Sequence, residues 1–447
     1  MTRDELLRAF ETRVTHPVSA RELTQLLKIP RDERVTVRRL LKMLVNEGAL
    51  VQVRGHRIGL PGKMDLVVGK VHMNPGGYGF VIPEHAHDKS EGDVYVAAPN
   101  LKDAMHGDRV TVRVERQRND RGREGTVMRV LERASESIVG RLEFDRGGNG
   151  RVIPHEKRIV QDIQELAQDL AGGKPGDMVV VEITRWPTAT RAPAGRITEV
   201  IGPVDAPGVD TRVIIRKHGL PDAHGDQAIL EATRLGDQVR PRDIAGRMDF
   251  RAMPTVTIDG EHARDFDDAI TLERLPNGHF WLGVHIADVA HYVHEGTSLD
   301  EEAYDRGTSV YFPERAIHMF PAELATGLCS LRPDVDRLVQ SCLMEVNAQG
   351  EVVRYELHDG VIHSAARMTY TAVNAIITDH DPETCARYAL LVPLFERMRD
   401  LHTILNQRRR RRGSIDFDLP EPELILDEEG LVAEITRAER NIAHRII

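Results

Sequence analysis

A chain of 447 residues is too long for one ordinary domain, so three or four compact units are expected, each with a core of its own. Hydrophobic residues at 41% and charged residues at 29% exclude a disordered chain, and no run approaches the roughly 18 apolar residues that cross a bilayer. The net charge of −10 does not exclude a nucleic-acid binder, because net charge averages over domains whose local patches differ. Residues 1–62 carry twelve Lys and Arg against seven Asp and Glu, so the acidic excess lies further along the chain. The start of the chain leads into a mixed-charge helix without a secretory apolar region, which points to a cytoplasmic protein with no membrane partner. Cys329, Cys342 and Cys385 are widely separated and lack zinc-binding spacing, so they read as reduced core residues.

In chain order, residues 1–62 predict three short helices and a hairpin. Ser19 and Glu22 form a capping box ahead of Leu23, Leu26 and Leu27. Arg34 to Glu47 reads as a helix stopped by Gly48, and Ala49 to Leu60 alternates around an Arg54-Gly55-His56 turn. The combination resembles a winged helix, with Arg38, Arg39, Arg54 and Arg57 as candidate nucleic-acid contacts. A helical capping domain without a ligand is the competing reading.

The next two segments repeat one another. Val68-Gly69-Lys70 recurs as Val139-Gly140-Arg141, Gly76-Gly77-x-Gly79 as Gly147-Gly148-x-Gly150, and Val81-Ile82-Pro83 as Val152-Ile153-Pro154, all at an offset of 71. Short alternating strands with glycine-rich turns predict two OB-fold barrels of the cold-shock kind, residues 63–134 and 135–204. In the first copy Tyr78, Phe80 and Tyr95 alternate onto one strand face, as a platform for stacking single-stranded bases would require. In the second, Asn149 and Arg151 stand where Tyr78 and Phe80 stand in the first. Residues 205–240 read as a connector with a helix near Asp226 to Leu235, and 241–447 as a further domain.

That domain opens on Asp259, Asp265, Asp267 and Asp268, four aspartates within ten residues between apolar strand-like segments. Carboxylates so crowded repel one another unless a cation neutralises them, and carboxylate oxygens suit a hard ion such as Mg²⁺. A calcium loop fails on spacing, since Ile270 and Pro276 fall where its glycine and bidentate glutamate belong. An exposed acidic turn without function remains open on charge alone.

The run Ile258-Asp259-Gly260-Glu261, Arg264 to Ala269 and Val284 to Val289 resembles the ribonuclease II and R family. Gly307-Thr308-Ser309-Val310-Tyr311, Met319-Phe320-Pro321 and Leu328-Cys329-Ser330-Leu331 extend the likeness. It implies a multidomain α+β protein: winged helix, two cold-shock OB barrels and the N-terminal part of a mixed α/β RNB catalytic domain. It implies a Mg²⁺-dependent (Mn²⁺ as substitute), processive 3′-to-5′ exoribonuclease releasing nucleoside 5′-monophosphates, with Asp259, Asp265, Asp267 and Asp268 as the catalytic, metal-binding aspartates. Tyr311 and Phe417 match aromatics that clamp terminal bases, and Tyr370 a tyrosine beside the ribose of the scissile nucleotide. Single-stranded and structured RNA are the implied partners, with ribosome or RNA-decay machinery as further ones and a monomeric state expected. The run Arg408 to Arg412 reads equally as a solvated helix end or a phosphate-tracking patch. In relatives an acidic pair follows Ile447 and, much later, an arginine that stabilises the transition state and a further barrel. The expectation from the resemblance is therefore an incomplete catalytic domain that binds metal and RNA yet cleaves poorly, or an RNA-binding platform. A winged-helix regulator of duplex DNA is a third reading, and it leaves the aspartates unexplained.

Overall fold

The computed structural model describes residues 1–53, 55–84, 92–118, 122–166, 170–188, 190–415, 422–437 and 440–446. Arg54 and Phe417 lie outside the described residues. The chain forms two compact units, Met1–Gly219 and Leu220–Ile447.

In the first unit, α1 (Arg3–Thr12) and α2 (Ala20–Leu26) each begin with a capping box; in α2 the Glu22 amide donates to Ser19 Oγ at 3.2 Å while Glu22 Oε2 accepts from the Ser19 amide at 2.7 Å. α3 (Arg34–Asn46) ends where Gly48 takes a φ of 74°, which an L side chain rarely adopts. β1 (Val18–Ser19), β2 (Val51–Val53) and β3 (Arg57–Gly59) form an antiparallel sheet in the order β1-β3-β2. Leu6, Phe10, Leu23, Leu41, Leu44 and Leu50 make the core between helices and sheet. The helices and hairpin match the sequence pattern; β1, two residues long, carries no periodicity and was not foreseen.

The first repeat closes into a five-stranded barrel of β4 (Leu66–Met73), β5 (Gly79–Pro83), β6 (Val94–Val96), β7 (Arg109–Arg118) and β8 (Gly122–Glu132), ordered β4-β5-β6-β8-β7. The repeated Val-Gly pair now has a cause. A Cβ on Gly69 would strike the carbonyl oxygen of Ile82, and one on Gly140 that of Ile153, so both copies need a bare backbone where the first two strands close up. The second repeat comprises β9 (Ser137–Phe144), β10 (Gly150–Pro154), β11 (Glu165–Leu166), β12 (Asp177–Arg185) and β13 (Ala194–Pro203), as a sheet in the order β10-β9-β12-β13-β11. Its strand ladder is not a closed ring among the described residues: β11 is only two residues long, and a single antiparallel bridge, Val152 to Ile163, spans the gap. The segment read as a connector begins with a helix, Val209–His218, whose Val209 and Val213 pack on Val139, Met178, Val180 and Ile201 of this sheet.

The second unit is built on a seven-stranded sheet, β14 (Met248–Asp249), β15 (Thr255–Asp259), β16 (Asp268–Arg274), β17 (Phe280–Ala287), β20 (Asp336–Val346), β21 (Val352–His363) and β22 (Ala366–Thr369), once a small hairpin of β18 (Val310–Tyr311) and β19 (Ala316–Ile317) is set aside. The order is β14-β21-β20-β17-β16-β15-β22, antiparallel through its centre and parallel at β14–β21 and β15–β22. Both faces are covered. Val256, Ile258, Ile270 and Leu272 pack with Leu394, Phe395, Met398 and Leu401 of the helix Val392–Arg411. The opposite face packs Phe250, Ala269, Leu338 and Val361 with Leu299, Leu324 and Leu328. A row of buried polar groups crosses this second face: Thr255 Oγ1 to Thr271 Oγ1 at 2.7 Å, Thr271 Oγ1 to His285 Nε2 at 3.2 Å, and His285 Nδ1 to Ser341 Oγ at 2.8 Å. Burial holds His285 down to about 4, so the ring stays neutral. Among the described residues, no helix is long and apolar enough to cross a membrane.

Candidate active site

Asp259 is the last residue of β15 and Asp268 the first of β16, so the two neighbouring antiparallel strands deliver them to the same sheet end. The segment between them returns past Asp265 and Asp267, and the Asp267 carbonyl is fixed by the Ala287 amide at 2.9 Å. Burial raises the Asp259 carboxyl to about 6, and the charges of Asp268, Asp265 and Asp267 add to that rise while Arg367 opposes it. Burial likewise pushes Asp267 upward, helped by Asp265 and Asp268, although its side chain keeps an open face to solvent. Asp268 is raised by burial alone. The charges of Asp265, Asp267 and Asp268 thus all act on Asp259.

Asp265 is held differently. The Tyr311 hydroxyl of β18 donates to Asp265 Oδ2, and burial together with that bond raises the phenol to about 12. His318 Nδ1 lies 3.6 Å from the same oxygen, beyond hydrogen-bonding distance. Tyr311 is 62% exposed as a residue. Tyr370 begins the helix Tyr370–Asn374, directly after Thr369, which pairs with Asp259 in the parallel β15–β22 ladder. Burial raises the Tyr370 phenol, and Asp259 and Asp268 raise it further. Its ring stacks on His444 with centroids 4.0 Å apart and planes 20° apart. Tyr311 and Tyr370 thus join the aspartates in this unit. Tyr78, Phe80 and Tyr95 form a separate cluster in the first barrel, with ring centroids 5.6 to 6.0 Å apart and Phe80 40% exposed.

Two residues of the quoted motifs have other duties. His285 belongs to the buried polar row, and Asp288, 5% exposed, accepts from Arg247 Nη2 at 2.6 Å in a buried ion pair. Three residues missed from the sequence stand at the site: His318; Arg367, whose Nη2 donates to the Gly260 and Glu261 carbonyls; and Ser330, which bonds the backbone on both sides of Asp265. Ser330 sits inside a family motif, but nothing in spacing tells a loop anchor from its neighbours.

Among the described residues, no three His, Cys, Asp or Glu side chains converge closely enough to cage an ion by themselves. The donor set nonetheless fits Mg²⁺ in kind. That ion keeps several waters and takes one or two protein carboxylates plus phosphate oxygens, so a three-carboxylate cage is not demanded. Hard anionic oxygens whose mutual repulsion raises their proton affinity are groups a divalent cation would stabilise.

Among family models, the Ribonuclease B OB domain matches residues 69–130, the cold shock domain 152–224 and the RNB domain 247–447. Ribonuclease R of Vibrio cholerae is 38% identical over 445 residues, covering 99% of this chain and 54% of the relative. Ribonuclease R of Acidithiobacillus ferrooxidans is 39% identical over 404 residues, 90% of each chain. The fold resembles that of Mycoplasma genitalium RNase R in complex with ribose-methylated single-stranded RNA, with a TM-score of 0.76 at 23% identity over 85% of this chain and 59% of that one. It also resembles yeast Ssd1, a pseudonuclease, with a TM-score of 0.58 at 17% identity over 78% of this chain and 49% of that one. A multidomain protein with OB, cold-shock and RNB domains is what the sequence and fold define. The chain belongs to the ribonuclease R family, and it spans about half the length of relatives such as the Vibrio enzyme.

Proposed function

We propose that this chain is a hydrolytic, processive 3′-to-5′ exoribonuclease that uses Mg²⁺ and releases nucleoside 5′-monophosphates. The observation that carries the reading is the crowd of carboxylates at the ends of β15 and β16, where burial and mutual repulsion raise Asp259 to about 6. Asp259, Asp265, Asp267 and Asp268 would hold the ion. Bound there, it would neutralise phosphate charge and lower the pKa of a water. The chain's own residues do the rest. Tyr311 offers an exposed ring to a terminal base, and the same side chain orients Asp265 through its hydroxyl. Tyr370, braced by His444, would lie along the sugar of the scissile nucleotide, where a 2′-hydroxyl tells RNA from DNA. Phe417 is proposed as the second stacking residue.

The first unit supplies RNA capture in this reading. Residues 1–62 would act as a winged helix, with Arg38, Arg39 and Arg57 exposed toward phosphate. The barrels at 63–134 and 135–204 would guide single-stranded RNA over Tyr78, Phe80 and Tyr95. Residues 205–240 connect them to the catalytic domain, 241–447. RNA is the proposed partner: Mycoplasma genitalium RNase R has been seen with single-stranded and with double-stranded RNA. A cytoplasmic location and a monomeric state belong to the same proposal. An RNA-binding platform is the second reading. It is favoured by the Tyr311 hydroxyl engaging Asp265 and by a pseudonuclease sharing the fold.

Release of labelled mononucleotide with Mg²⁺ separates the two readings. In the hydrolase reading Asp267→Asn keeps RNA binding and loses release. Wild-type chain that binds RNA and releases nothing is the platform.

A further inference from the structure

Asp265 sits in a loop, and loops do not hold a catalytic carboxylate still without anchors. Ser330, fully buried, supplies them on both sides. Its hydroxyl donates to the Arg264 carbonyl oxygen at 2.7 Å and accepts from the Phe266 amide at 3.1 Å, so the two residues flanking Asp265 meet on one oxygen atom. The next residue completes the clasp, the Leu331 amide donating to the Phe266 carbonyl at 2.8 Å. Ser330 is itself fixed from behind. Arg337 on β20, 2% exposed, donates from Nε to the Ser330 carbonyl at 2.8 Å, from Nη1 to the Asp336 carbonyl at 2.9 Å and from Nη2 to the Gly327 carbonyl at 3.1 Å. A guanidinium buried on three backbone carbonyls gives up hydration for geometry, since a well-packed apolar residue would fill the space without that desolvation. What it fixes is the turn Glu323–Leu328 and the Ser330 backbone beyond it.

We infer that Ser330 is a positioning residue for the carboxylate centre, backed by Arg337, which sets where the Arg264–Phe266 loop presents Asp265. The inference rests on the proposed metal-dependent hydrolase, but it is tested without turnover. Second-sphere groups that orient ligands typically change metal affinity by about 10- to 100-fold when removed.

The measurement is Mn²⁺ binding to the metal-free full chain, followed by electron paramagnetic resonance, with Asp267→Asn marking the ions held at this centre. Ser330→Ala is expected to weaken that binding at least about tenfold, and Ser330→Thr, which keeps the hydroxyl, to stay within about threefold of wild type. A folded Ser330→Ala chain that binds Mn²⁺ as wild type does overturns the inference, as do folded Ala and Thr variants weakened equally. If the Ala variant does not fold, the wild type decides. Mn²⁺ should slow hydrogen exchange at the Phe266 amide, whose acceptor is the Ser330 hydroxyl, and an unchanged rate overturns the inference. A wild type whose Mn²⁺ binding is untouched by Asp267→Asn refutes the metal centre itself, an outcome distinct from any Ser330 result.

Discussion

Acidification should destabilise the second unit through one side chain. His285 is fully buried between Thr271 and Ser341, with no carboxylate among its hydrogen-bond partners in the described residues, and its pKa is held near 4 against an ordinary 6.5. Unfolding releases the ring to water, where it binds a proton near pH 6.5. The unfolded state therefore carries the extra proton between those two values, and stability falls as pH drops through that window. Linkage gives about 2 kcal/mol lost between pH 7.5 and 5, and about 3 kcal/mol by pH 4. The assay is urea unfolding followed by Trp281 fluorescence in a Trp186→Phe background, since Trp281 lies on β17 with His285 and Trp186 in the first unit. His285→Gln lowers stability at every pH but removes the titration. The difference between the two stability curves isolates His285 from the carboxylates that also titrate in acid. If both chains lose the same free energy between pH 7.5 and 5, the buried neutral histidine is not the cause and the reasoning fails.

The carboxylate crowd makes a second claim about stability. Asp259→Asn removes a repelled, half-buried charge, so the metal-free chain should gain about 1 kcal/mol, discounted for its partial exposure, while the rise in Tm that Mg²⁺ gives the wild type is lost. Calorimetry with and without Mg²⁺ reads both, and a less stable Asn variant would show that the carboxylates do not repel as described. In the first barrel, Phe80→Leu should weaken single-stranded RNA binding about tenfold with no change in Tm, because the ring is exposed and packs edge-on to Tyr78 and Tyr95. Fluorescence anisotropy with a labelled oligonucleotide checks it, and unchanged affinity would remove the stacking platform.

Local chemistry was legible in the sequence because it depends on residues near one another in the chain. The Ser19–Glu22 box, the stop at Gly48, the repeated Val-Gly pairs and the four aspartates all act over a few residues, or through a backbone constraint that only glycine meets. The helix Val209–His218 escaped because its start is a glycine with φ of 71° rather than a capping side chain, and its apolar face is defined by the sheet it covers.

What the order of residues determined is the inventory: two related β domains, four aspartates within ten residues and aromatics alternating along one strand. Only the tertiary structure decided which polar residues serve the centre and which serve the core. His285 and Asp288 share a motif yet one is sealed in a polar row and the other paired with Arg247, while Ser330, 65 residues beyond Asp265, closes the loop around it. Hydrogen bonds of that span depend on where strands cross in space, and strand crossing leaves no period in the sequence.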